Sequence, residues 1–165
     1  MLLTSKTIIE AKLQNNQIVH NDLVFYKKYS EYTLKLITKE KYQKFIKYIL
    51  KKEEIPENKI IQISIRVFPV RNKKGQWLIG KCNQKGEIKI FPKNRNLCLK
   101  IAFRFGKQIL FSYIKSRGLA ALIHELLHLK YADDEKKVRK LTKKYFKKYN
   151  KDTIPYSANK FLFIN

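Results

Sequence analysis

Leu122-Ile123-His124-Glu125-Leu126-Leu127-His128-Leu129 is the stretch on which the reading of this chain turns. It is an H-E-x-x-H pattern set among apolar residues. Residues four apart on a helix share a face, so His124 and His128 can both face one metal ion. A helix turns about 100° per residue, which carries Glu125 to the side of that ion rather than necessarily onto it. From there its carboxylate can take a proton from a water that the ion activates. Three polar side chains thus stand in the most apolar segment of the chain, flanked by Ala121, Leu122, Ile123, Leu126, Leu127 and Leu129. Burying such groups without partners is costly, and a divalent ion with its water satisfies all three. The bland alternative is a pair of hydrogen-bonded core histidines, with Glu125 paired to a lysine.

Upstream the same pattern continues through Ile109, Leu110, Tyr113, Ile114 and Leu119. A helix apolar all round is a buried one. Gly118, at a cost of about 1 kcal/mol relative to alanine, marks close packing beside Ala120 and Ala121, or a break between two helices. Tyr131-Ala132-Asp133 then turns the chain. Val138, Leu141, Tyr145, Phe146 and Tyr149 form the stripe of a second amphipathic helix, with Lys136, Lys137, Lys140, Lys143, Lys144, Lys147 and Lys148 on its wet face. Residues 107–150 therefore read as a helical hairpin.

A catalytic zinc site usually has three protein ligands and one open position. The only histidine left is His20, far upstream, and the acids after His128 are Asp133, Asp134, Glu135 and Asp152. In an antiparallel hairpin turning near residues 131–132, His128 comes beside Glu135. Glu135 is the first choice for third ligand and Asp134 the second. Asp133 is read as the cap of the following helix.

The middle of the chain reads as sheet. Ile60 to Val70 alternates, with Ile61, Ile63, Ile65 and Val67 on one face and Gln62, Ser64 and Arg66 on the other. Turns at 72–75 and 83–86 separate it from strands at 76–82 and 87–91, giving an antiparallel meander. Leu97 to Phe105 is a further strand or the approach to a helix; as a strand it offers an edge for an extended peptide. Residues 7–13 and 17–26, flanking Gln14-Asn15-Asn16, suggest a hairpin, with a helix as the alternative for the first piece, and 33–37 a short strand. Thr38 fits as N-cap of a helix over 39–53, striped by Tyr42, Phe45, Ile46, Ile49 and Leu50. The expected class is α+β: a small antiparallel sheet, a buried H-E-x-x-H helix and an antiparallel C-terminal helix. One domain covers 1–165, with residues 1–55 as an extension packed on it.

Composition narrows the classes. Apolar residues make up 44% of the chain, against disorder. No apolar run is long enough for a membrane helix, and the first residues lack the apolar core of a leader. Cys82 and Cys98 form no C-x-x-C, so two free thiols in a cytoplasmic setting are expected. The chain holds 37 Lys+Arg against 13 Asp+Glu, a net charge of +24. That field attracts polyanions, nucleic acid among them. Only six of the basic residues are arginine, the better fork for phosphate and bases, so a lysine-covered wet face is the plainer account.

From Gly118 to Tyr145 the residues resemble the minigluzincins, small archaeal zinc metallopeptidases. The resemblance is carried by His124-Glu-Leu-Leu-His128-Leu-Lys-Tyr-Ala-Asp-Asp-Glu135 and the Lys-Lys-Val-Arg-Lys-Leu-Thr that follows. It implies that two histidines and a downstream Glu hold Zn2+, and that the motif Glu, here Glu125, acts as general base and acid. It also implies a peptide bound along an edge strand, and in some members a terminal segment that blocks the zinc. The family core is shorter than this chain, and its larger relatives place the Glu farther from the second His.

The function expected is a zinc metalloendopeptidase, a hydrolase acting on peptide or protein substrates. Two rivals remain: a basic nucleic-acid-binding protein with a structural or inert metal site, or a protease acting on DNA-bound proteins. The latter is similar to SprT-like peptidases, which carry a third His near the position of Asp134. Tyr131 is a weak choice for an oxyanion helper. Latency is a further reading, with residues 156–165 in the cleft or Cys82 or Cys98 capping the metal. Imidazole and carboxylate ligands also accept other transition metals.

Overall fold

The structure, a computed structural model, describes residues 6–11 and 20–149. The proposed turn at 14–16, Asp152 and the apolar stretch 156–165 lie outside them. The class is α+β, with five helices and a four-stranded mixed sheet among the described residues.

The chain begins with β1 (Thr7–Glu10) and then a helix, α1 (His20–Ile37), where the sequence reading placed strands. The period explains the correction. Tyr26, Tyr29, Ser30, Thr33, Leu36 and Ile37 are all buried, a helical spacing. Two of the six, Ser30 and Thr33, are small polar residues, which breaks the apolar stripe. Inside the helix the Thr33 hydroxyl donates to the Tyr29 carbonyl at 3.0 Å. Helix α2 (Glu40–Lys52) matches the expected helix over 39–53. Thr38 does not cap it. Its hydroxyl donates backward to the Leu34 carbonyl at 2.9 Å and so closes the end of α1.

The sheet is mixed, not an antiparallel meander. Strands β2 (Gln62–Arg66), β3 (Gly80–Cys82) and β4 (Glu87–Ile90) join β1 in the order β1-β2-β4-β3. Only the β3–β4 hairpin is antiparallel; β2 runs parallel to both β1 and β4. Two features account for this. Ile63, Ser64, Ile65 and Arg66 are all buried, so β2 is covered on both faces, as a central strand is. Pro69 lacks the amide a ladder needs, and the chain leaves the sheet around it. The 72–75 turn forms outside the ladder, held by the Asn72 side chain accepting from the amides of Lys74 and Gln76. The chain then returns as the sheet's edge, β3.

Leu97 to Phe105 is not a strand. It lies within helix α3 (Arg95–Phe105), capped by Asn94, whose side chain accepts from the Leu97 amide at 2.9 Å. The sheet edge beside the H-E-x-x-H helix is therefore β3. Helix α4 (Lys107–Tyr131) is one unbroken run of 25 residues. It packs against α1, α3, β3 and β4, and against the last helix, α5 (Glu135–Tyr149). Gly118 serves close packing: a Cβ there would meet the Thr33 methyl at 3.3 Å. The core draws on α1, α2, β2, β4, α3, α4 and α5 together.

Candidate metal centre

Helix α4 ends at Tyr131, and Ala132 turns the chain with φ at 44°. That conformation is uncommon for a residue with a Cβ. It sends the Ala132 carbonyl back to the His128 ring, where Nδ1 meets it at 2.5 Å. With its proton on Nδ1, His128 turns Nε2 toward α5. Thr142 does the same for His124. Its hydroxyl gives its proton to the Val138 carbonyl at 2.8 Å, so it can only accept from His124 Nδ1, 3.5 Å away. Both imidazoles are thereby held in the tautomer a metal requires.

The two Nε2 atoms face each other at 3.1 Å. The Glu135 carboxylate completes a triangle, with Oε1 3.5 Å from His124 Nε2 and Oε2 3.2 Å from His128 Nε2. Zinc bonds of about 2.0–2.2 Å in tetrahedral array separate neighbouring ligand atoms by about 3.3–3.5 Å. The three separations, 3.1, 3.2 and 3.5 Å, reach or fall slightly short of that range. Among the described residues, His124, His128 and Glu135 are the one group of three His, Cys, Asp or Glu side chains that could hold a metal.

The protonation states of His124 and Glu135 suit metal ligands. Burial pushes the His124 pKa down to about 4, against the pull of the Glu135 carboxylate, so its ring is neutral at pH 7. Burial works to raise the Glu135 pKa. The Arg139 side chain, 2.6 Å from Oε1, outweighs it together with the two rings, and the carboxyl stays below its ordinary range. Glu125 is 6% exposed, and burial, with Glu135 adding, lifts its carboxyl to about 8.

Glu125 is fixed by the sheet edge. Residues 79 and 83 hydrogen-bond across to β4, so the alternate residues Gly80 and Cys82 turn their amides to the free side. The Cys82 amide bonds the Glu125 carboxylate. Gly80 leaves the room it occupies, since a Cβ at position 80 would stand 2.5 Å from Glu125 Oε1. Edge and centre line one open cavity of about 700 Å³, walled by β3, α4 and α5.

The other candidates fall elsewhere. Asp134, the second choice for ligand, accepts from the Lys137 amide at 3.0 Å and caps α5, the role the sequence reading gave to Asp133. The Tyr131 hydroxyl donates to Glu53 at 2.5 Å. Cys98 is buried with its thiol against the Lys93 carbonyl. Cys82 lines the cavity, but burial and the Glu125 charge push its thiol up to about 11. Sequence reasoning missed Gly80, Thr142 and the Ala132 carbonyl. None has a motif, though a Gly just before Lys81 and Cys82 in a strand was a sign of close approach.

No protein-family model matches this chain, and no curated protein or solved structure matches it. No helix among the described residues is long and apolar enough to cross a membrane.

Proposed function

We propose that the protein is a zinc-dependent metallopeptidase, with His124, His128 and Glu135 as metal ligands and Glu125 as general base and acid. One observation carries this reading. A buried carboxylate, held by a strand-edge amide, stands beside two imidazoles and a carboxylate already spaced for one tetrahedral ion. Zinc, when bound, would supply the Lewis acidity that activates a water and polarises a carbonyl. Glu125 takes a proton from the attacking water and returns it to the leaving amine. The Cys82 amide orients that carboxylate, and the free edge of β3 is the wall along which an extended peptide would lie. The resemblance to the minigluzincins over residues 118–145 supports the same assignment. Two unpaired cysteines support a reducing, cytoplasmic setting.

The test is metal analysis of protein purified without a metal-affinity tag, with peptide-library cleavage by wild type and Glu125→Gln. One zinc per chain in both proteins, with cleavage only by wild type, is expected. Full activity in Glu125→Gln would overturn the mechanism.

The cavity wall also favours contact with nucleic acid. Lys59, Lys81, Lys85 and Lys143 line it, and α5 adds exposed Lys136, Lys140, Lys144 and Lys147. This is the basis for the second reading, action on proteins bound to DNA. DNA binding that weakens steeply with salt and survives chelation supports it; no binding at low salt removes it.

A further inference from the structure

We propose that Arg117 binds a buried monoatomic anion of chloride's size, in the void between α1, the sheet and α4. Arg117 lies two turns before His124 on α4, facing the layer beneath, and is 2% exposed. Its Nε, Nη1 and Nη2 atoms have no hydrogen-bond partner among the described residues. A guanidinium cannot shed its proton inside a protein, so the usual escape of a buried charge is closed to it. Buried charges in folded chains are paired or bound to ions.

Among the described residues, no anion answers it. The titratable groups coupled to its charge include Tyr29, Tyr113, Cys98 and Lys93. Burial raises the hydroxyls and the thiol, so all three stay neutral, and Lys93 adds a second cation. The carboxylate of Glu10 is paired with Arg66, 3.0 Å away.

Beside Arg117 is a void of about 10 Å³, lined also by Tyr29, Thr33, Arg66 and Gly118. It has room for one water-sized particle. Water would accept from the guanidinium without balancing its charge. Sulfate, phosphate and carboxylate ligands are too large. A single chloride, only slightly larger than a water, answers the donors and the sign. Bound there, it ties the catalytic helix to α1 and to the two central strands. This inference does not depend on the metal centre.

The experiment compares thermal unfolding of the full chain in sodium chloride, bromide and gluconate at equal sodium concentration. A site filled at tenfold over its Kd raises the folded-to-unfolded ratio about elevenfold, a Tm rise of about 3–6 °C for a chain this size. The rise is expected for chloride and bromide in wild type, and smaller in Arg117→Met by that amount. Halide binding to the lysine-rich surface, or to zinc, would act equally on both proteins, so equal shifts overturn the proposal. If Arg117→Met does not fold, crystals of wild type soaked in bromide decide. An anomalous peak within hydrogen-bond distance of the guanidinium supports the site, and bromide elsewhere only, or none, refutes it.

Discussion

Gly80 on the edge strand and Glu125 on the central helix are in such close approach that no other residue fits at position 80. An added Cβ would lie 2.6 Å from Glu125 Cγ and 2.9 Å from Cδ. Gly80 therefore sets the position of the proposed general base, although it carries no side chain. Gly80→Ala should keep zinc binding and lower kcat/KM by about 10²–10⁴, the range a general base contributes. Cleavage kinetics and zinc stoichiometry on the same preparation test this; wild-type rates would show that Glu125 need not sit against β3.

Glu135 and Asp134 are neighbours with separate roles, one facing the imidazoles and the other capping α5. Glu135→Ala should reduce zinc affinity by more than the roughly 10–100-fold that loss of an outer partner costs. Asp134→Ala should leave zinc affinity unchanged and lower stability by about 1 kcal/mol. Thr142→Val, which removes the acceptor for His124 Nδ1, should fall between them, within about 10–100-fold in affinity. Competitive zinc titration and urea unfolding separate the three; equal zinc affinity in Glu135→Ala and Asp134→Ala would exclude Glu135 as a ligand.

Lys93 gives a pH signature. Burial, with Arg117 beside it, brings its pKa from 10.5 down to about 8 in the folded chain. Below pH 8 both states hold the proton and the folded state bears the full cost. Between pH 8 and 10.5 the unfolded chain binds more protons, so stability rises with pH relative to a variant without the amine. In chloride-free buffer, the stability of Lys93→Met minus that of wild type should therefore fall by up to about 3 kcal/mol from pH 7 to pH 10.5. A difference that does not change with pH would mean that Lys93 titrates normally.

Glu53, just past α2, ties three helices. Its carboxylate accepts from the hydroxyls of Tyr131 and Tyr145, and its carbonyl from Lys130 Nζ at 2.5 Å. Tyr145 is 2% exposed, so Glu53→Ala leaves its hydroxyl without that acceptor. A loss of about 2–4 kcal/mol is expected in urea unfolding, with Glu53→Gln losing roughly half as much. A change in Glu53→Ala below about 0.5 kcal/mol, the size of an ordinary surface substitution, would remove this role.

The sequence by itself determined the α4–α5 hairpin and the face carrying His124 and His128. Helix period and apolar context are local properties, and a short turn leaves little freedom in where Glu135 arrives. It also determined the turns at 72–75 and 83–86, the helix over 39–53 and the class. Tertiary structure alone decided the strand order, because parallel pairing joins residues far apart and depends on which faces are covered. It decided that 20–37 and 95–105 are helices, whose buried faces carry Ser30 and Thr33 in one case and little apolar contrast in the other. The choice of Asp134 over Asp133 as cap, and the contact of Gly80 with Glu125, likewise depend on distances across the fold, as does the isolation of Arg117. Spacing along one helix can be counted from the chain. The approach of a strand edge to that helix cannot, because it is set by the packing of every layer between them.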